Sequence, residues 1–357
     1  MAGGGESADE LSVATLALGA DAPEAVDEQL NAVRKSVIAG DATQYLAALK
    51  LASGETAKSS PLVYLMEWFH TWQQEYEAFV HVLGMEEESG AGGHGDAAAL
   101  EEDLADMETE AGVLMQGFGT LAMALLEQQG AENPDSVVDR HGWTLLMQAA
   151  NSGLSEMTDA LVACKADVNY GGTAKDSTNP LYLAIESEHT AVAMLLLKSG
   201  AIASATTIVK THKPSLGGDS SAEAADEDDD EEEEEDCALF QACRFGHLSV
   251  IKEMLALGVD VNFAVPSTGD RALHVAVMFE MQDVVELLVA SDAIELNAAN
   301  ASGQTCLFGC SSVDLVKLLV TKGVDPKVQD VDSETALTMA HALGDDEVAQ
   351  FLETLVP

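Results

Sequence analysis

Eleven consecutive carboxylates, Asp226, Glu227, Asp228, Asp229, Asp230, Glu231, Glu232, Glu233, Glu234, Glu235 and Asp236, form the densest run of ionisable side chains in this sequence. Such a run can draw in cations and basic protein surfaces, or it can serve only as a solvated linker. Acid–base catalysis needs something different, a carboxyl of raised pKa held in a pocket, and an unbroken charged run does not indicate one. The histidines fall in no HExxH pattern, and GxSxG, a glycine-rich phosphate loop and a DxDxDG loop are absent. Cys164, Cys237, Cys243, Cys306 and Cys310 form no CxxC pair and no cluster with histidine. Neither a zinc site nor a disulfide framework is therefore expected, and a reducing compartment is. No catalytic, cofactor-binding or metal-binding residue is assigned, and the chain is not expected to be an enzyme.

The net charge is −46 over 357 residues, so acidity extends well beyond the run. That field repels nucleic acid and anionic membrane and favours basic partners. The stretch 112–126 is apolar but too short and too glycine-broken to span a bilayer, and the opening residues carry no basic–apolar leader pattern. A cytoplasmic or nuclear protein, monomeric on its own, is expected.

The elements that must carry these groups show themselves as an internal period. Leu146, Leu181, Leu239, Leu273, Leu307 and Leu337 are each followed three residues on by Ala149, Ala184, Ala242, Ala276, Cys310 and Ala340. Leucine and a small residue at i, i+3 share one helical face, so a neighbouring helix can pack closely against it. The segments "LVACKADVN" and "MLALGVDVN" then end a second helix, with Gly258 and Gly323 suited to left-handed caps. Each period therefore predicts two short antiparallel helices, and such pairs bury their faces only by stacking. The long spacing between Leu181 and Leu239 is one period plus an insertion that contains the carboxylates.

The phrases "WTLLMQAA" (143–150), "NPLYLAI" (179–185), "RALHVAV" (271–277) and "ETALTMA" (334–340) resemble the T-P-L-H-x-A signature of the ankyrin repeat. The resemblance implies an all-α solenoid of helix-turn-helix units with short β-hairpin fingers. It places His274 at the motif histidine, which bonds the neighbouring finger backbone, and Cys243 and Cys310 at buried small-residue positions. It also implies a concave groove lined by Arg140, His141, Trp143, Asn151, Ser152, Glu186, Ser187, Arg244, Phe245, Asp270, Met278 and Phe279. The acidic insertion hangs beside that groove.

The expected organisation is an N-terminal segment (1–28), degenerate helical repeats over 29–138 with a disordered Glu/Gly insertion at 86–103, and ankyrin repeats over 139–357 with a disordered acidic insertion at 204–235. Degenerate repeats are placed at 32–54, 60–85 and 113–134. Tyr64, Trp68, Phe69, Trp72, Tyr76 and Phe79 form either a bulky core or a partner surface. The function expected is a non-catalytic scaffold that binds a protein partner in the groove. The alternative is an escort for a basic client such as a ribosomal protein or histone. Direct nucleic-acid binding and membrane insertion are not expected.

Overall fold

The computed structural model describes residues 32–53, 61–69, 71–74, 97–129, 134–139, 142–171, 178–212 and 231–355. Two compact units divide at Asp167 and Val168. The division falls after the first clear repeat instead of before it.

In the first unit, α1 (32–38) turns through Gly40 into α2 (Ala42–Ser53), with Asp41 Oδ1 accepting from the Thr43 N–H. Helix α3 covers 61–69 and 71–74, and α4 runs from Ala97 to Gln129. Two expectations change here. Residues 97–103, placed in a disordered insertion, begin α4, because "AAALEEDLADMETE" is made of strong helix formers. Residues 113–134, placed as a helix pair, are mostly the C-terminal part of that single helix. No proline or cap interrupts it before Gln129, so the hydrogen-bond ladder continues.

Half of the aromatic cluster is core, and Tyr64 is half-buried. Trp68, Phe69 and Trp72 are buried, and Phe69 stacks on Phe118 of α4 with centroids 3.8 Å apart. Tyr76 and Phe79 lie outside the described residues. Helix α4 approaches α1 closely at Gly117, where an added Cβ would stand 2.1 Å from the Val37 carbonyl oxygen. The first clear repeat, α5 (Leu145–Asn151) and α6 (Ser155–Ala163), belongs to this unit. Thr144 caps α5 by accepting from the Met147 N–H. Gln148 of α5 donates to the Met66 carbonyl, and Ser152 donates to Gln73 Oε1 at 2.7 Å.

The second unit contains α7 (Pro180–Glu186), α8 (Thr190–Lys198), β1 (Thr206–His212), β2 (Glu231–Cys237), α9 (Ala238–Arg244), α10 (Leu248–Ala256), α11 (Ala272–Met278) and α12 (Gln282–Val289). A 3-10 turn (Cys306–Gly309), α13 (Val313–Lys322), α14 (Ala336–Leu343) and α15 (Asp346–Leu355) complete it. Leu181, Leu239, Leu273 and Leu307 are buried with their small partners Ala184, Ala242, Ala276 and Cys310. Leu337, in the last pair, is only half-buried. In the fifth period the first helix has shrunk to the 3-10 turn, because Gly309 and the shortened segment before α13 leave no room for a second helical turn.

An asparagine joins successive pairs. Asn169 accepts from the Ile202 N–H and donates to the Gly200 carbonyl. Asn262 does the same with Glu295 and Ala293, and Asn297 with Asp325 and Gly323. One side-chain amide thus satisfies a donor and an acceptor of the next repeat.

The insertion departs most from expectation. Residues 206–212 pair antiparallel with 231–237, Thr206 opposite Cys237 and His212 opposite Glu231, so both ends of the segment 204–235 are an ordered ribbon. The β-branched sequence Thr206–Val209 favours extended backbone. Residues 213–230, including Asp226 to Asp230, lie outside the described residues. Elsewhere the fingers are tight turns, closed by single bridges such as Gln329 with Thr335. Among the described residues no helix is long and apolar enough to cross a membrane.

Candidate functional site

The end of the first helix in each repeat fixes the residues expected in the groove. The residue seven after each repeat leucine has positive φ in five of the repeats: Gly153, Glu188, Gly246, Glu280 and Gly344. The chain reverses there, and in three of the five the residue just before it is exposed. Phe245, Phe279 and Leu343 take that place in the second unit and are 52, 41 and 65% exposed. Met278, beside Phe279, is also exposed. Phe245, Phe279 and Leu343 are large, apolar and at equivalent positions, and Met278 stands one residue before Phe279.

The polar members behave differently. Arg244 is not a free cation. Its Nη1 lies 2.8 Å from Asp236 Oδ2 and 2.8 Å from Gln241 Oε1, and its guanidinium carbon stands 5.2 Å from the centroid of the Phe279 ring. Asp236, the last residue of the acidic run, is buried, so it belongs to the fold and not to a solvated tract. It also accepts from the Tyr182 hydroxyl at 3.4 Å. Burial, reinforced by the Asp236 carboxylate, holds the Tyr182 phenol above its ordinary pKa. On the rim, the Glu186 carboxyl is pushed upward by loss of water and by Asp236, with Arg244 offsetting part of the rise. Glu235 accepts from the Ser267 N–H of the next finger.

Tyr182 escaped the sequence reading although a signal for it existed. It occupies the position after the repeat leucine that His274 occupies two periods later. His274 Nδ1 accepts from the Arg271 N–H, and its Nε2 bonds the Gln304 carbonyl at 3.1 Å, as the motif histidine should. Burial holds the His274 pKa below its ordinary value, consistent with a neutral ring that donates through Nε2. Tyr182 makes the corresponding bond to Asp236, which stands where Gln304 stands, immediately before the next helix cap.

Asp270 serves the fingers: its Oδ1 accepts from Asn300 Nδ2. Ser152, expected in the groove, is buried against Gln73. In the first unit, Trp143 and Asn151 are half-buried, and the Trp143 N–H is held by Asp139 Oδ1. Ser187 is likewise half-buried. Arg140 and His141 lie outside the described residues. The thiols of Cys237, Cys243, Cys306 and Cys310 are buried, and burial pushes Cys237 and Cys306 up to about 12, so they are poor nucleophiles. Among the described residues no three His, Cys, Asp or Glu side chains converge to hold a metal ion.

Solved structures similar to this chain include the ankyrin repeat domain of human ASB11 (23% identity, 67% of this chain and 94% of that chain, TM-score 0.49). EF0377, an ankyrin repeat protein, is 21% identical over 58% of this chain and 96% of its own, with a TM-score of 0.45. A chain from the complex of the predatory endopeptidase Bd0816 of Bdellovibrio bacteriovorus with immunity protein Bd3460 is 20% identical, over 61% of this chain and 99% of that one, with a TM-score of 0.45. The family description "Ankyrin repeats (3 copies)" matches residues 114–207 and 216–300, half of the sequence, and begins at Leu114 inside α4. With the buried Leu–Ala pairs, the motif histidine in its finger contact and that match, the chain belongs to the ankyrin-repeat family, whose members are generally non-catalytic binding modules.

Proposed function

We propose that this protein is a non-catalytic scaffold that binds a protein partner against the face bearing Phe245, Met278 and Phe279. The observation that carries the reading is the exposure of Phe245 and Phe279 at repeat-equivalent positions, with Met278 exposed next to Phe279, beside the Asp236–Arg244 pair. Exposed aromatics of this kind dominate protein-interface energetics. Arg244, fixed by Asp236 and lying over Phe279, holds that ring in place before a partner arrives.

A partner isolated with the intact protein tests this reading. Phe245→Ala combined with Phe279→Ala should weaken its binding by at least about tenfold while the fold persists. Unchanged affinity in a folded double variant sinks the proposal.

A second reading, escort of a basic client, is favoured by one observation. Asp236 ties the end of the acidic strand to Arg244, beside the apolar patch. A client with both apolar and basic surface would use both. Its association rate should fall steeply between about 0.05 and 0.5 M salt, where the Debye length shrinks to a few Å. A rate independent of salt removes the escort reading and leaves the scaffold intact. A cytoplasmic or nuclear setting fits the free thiols and is part of the proposal.

A further inference from the structure

The first unit holds a second apolar surface, separate from the patch just described. One face of α4 (Gly112, Met115, Gln116, Gly119, Thr120 and Met123) and the start of α6 (Leu154 to Met157, with Ala160) enclose an open trough of about 530 Å³. Its α4 residues recur at i, i+3, i+4, i+7, i+8 and i+11, a single helical face. Gly112 has open space where a side chain would stand, and Gly119 faces Met157 at van der Waals distance. Gly112 therefore leaves room at one end of the trough, and Gly119 lets Met157 pack close to α4. From Gly112 to Met123 the trough spans roughly 17 Å, the length of about three helical turns.

Both the shape and the lining specify an occupant. Small-molecule sites enclose most of their ligand, whereas this one is partly open to solvent. Methionines are flexible and polarisable, and they suit the apolar face of an inserted helix whose exact side chains vary. On α4 and α6 the charged side chains that line or flank the trough are all acidic. Glu156 lines it, Asp159 is exposed on the same helix, and Glu127 is exposed one turn beyond Met123. Neither 59–139 nor 141–164, which supply both walls, contains a lysine or arginine.

We propose that this trough docks a basic amphipathic helix of a partner protein. Large aliphatic side chains at i, i+3 or i+4, and i+7 pack against Met115, Met123 and the open space over Gly112, and flanking lysines or arginines meet Glu127, Glu156 and Asp159. The site is independent of the aromatic patch, so the protein would offer two docking surfaces of different chemistry.

The test uses the intact protein and two fluorescent 18-residue peptides built from leucine and lysine. One is patterned as an amphipathic helix; the other has the same composition in a non-amphipathic order. Fluorescence anisotropy should show at least tenfold tighter binding of the patterned peptide, because the scrambled one measures charge attraction alone. Met115→Lys and Met123→Lys should each remove that preference, and Glu156→Lys, a surface change that keeps the fold if either methionine variant does not, should reduce it several-fold. The Phe245→Ala, Phe279→Ala double variant should bind the patterned peptide like wild type. Equal binding of the two peptides overturns the proposal, and so does an unchanged preference in folded Met123→Lys or Glu156→Lys. Loss of the preference in the aromatic double variant would move the peptide to the other surface and also overturn it. If an apolar dye binds wild type but not Met123→Lys, while peptide binding is the same in both, the trough is a small-ligand site and the helix proposal fails.

Discussion

The two units solve the same packing problem in opposite ways. The second repeats one solution: a buried leucine, a small residue three positions on, and an asparagine that clamps the next pair. The first relies on individual contacts: a 33-residue helix, a stacked Phe69–Phe118 pair and a glycine that lets two helices nearly touch. In a repeated design each interface resembles its neighbours, so a defect is shared with few other contacts. In an individual design a few large side chains carry the core, and their removal should cost more.

Phe118→Ala should give the largest loss, about 3–5 kcal/mol, since it removes a buried aromatic and its stacking contact with Phe69 together. Chemical denaturation followed by tryptophan fluorescence reads it directly, because Trp68 and Trp72 lie in the same core. A loss under about 1 kcal/mol would erase the contrast between the units.

Leu273→Ala should cost about 2–5 kcal/mol, the range for a buried leucine, and should sit at the lower end if neighbouring repeats relax into the space. Cys310→Ala should cost much less, because alanine fills the equivalent slot in the other pairs. If the cysteine variant proved the worse of the two, the repeat register would be wrong.

Asn262→Ala removes a donor and an acceptor that bridge repeats, and about 1–2 kcal/mol should go with them. The bonds are exposed to water, so a loss above about 3 kcal/mol would mean that the clamp does more than bridge.

The smallest effect is a gain. Asp135 stands in the clamp position of the first unit, with its Oδ2 accepting from the Asp167 N–H. An aspartate carboxylate has no amide N–H to donate to the Lys165 carbonyl, the acceptor two residues earlier in this pattern. Asp135→Asn should stabilise by about 0.5–1.5 kcal/mol at neutral pH. Burial raises the Asp135 pKa, so the folded state holds this proton more tightly than the unfolded one. Its ionisation therefore weakens the fold as pH rises. The advantage of the asparagine variant should accordingly shrink as pH falls toward the carboxylate range. An advantage that grows on acidification would contradict the assignment.

The sequence by itself determined the repeat architecture of the second unit. Its physics is local and periodic: Leu181 with Ala184, Leu273 with Ala276, and a histidine at the motif position each announce a buried face without reference to anything distant. Phe245, Met278 and Phe279 were legible for the same reason, since a position fixed by the period has a fixed outlook. The composition also announced the strong negative field. Tertiary structure alone decided the rest, because it depends on pairs far apart in the chain. Only packing against Arg244 and Tyr182 turns Asp236 from one more carboxylate in a run into a buried structural acid. Only the close approach of α4 to Val37 explains Gly117, and only the facing of α4 and α6 opens the methionine-lined trough. A period can specify a contact that recurs; a contact made once leaves no period to read.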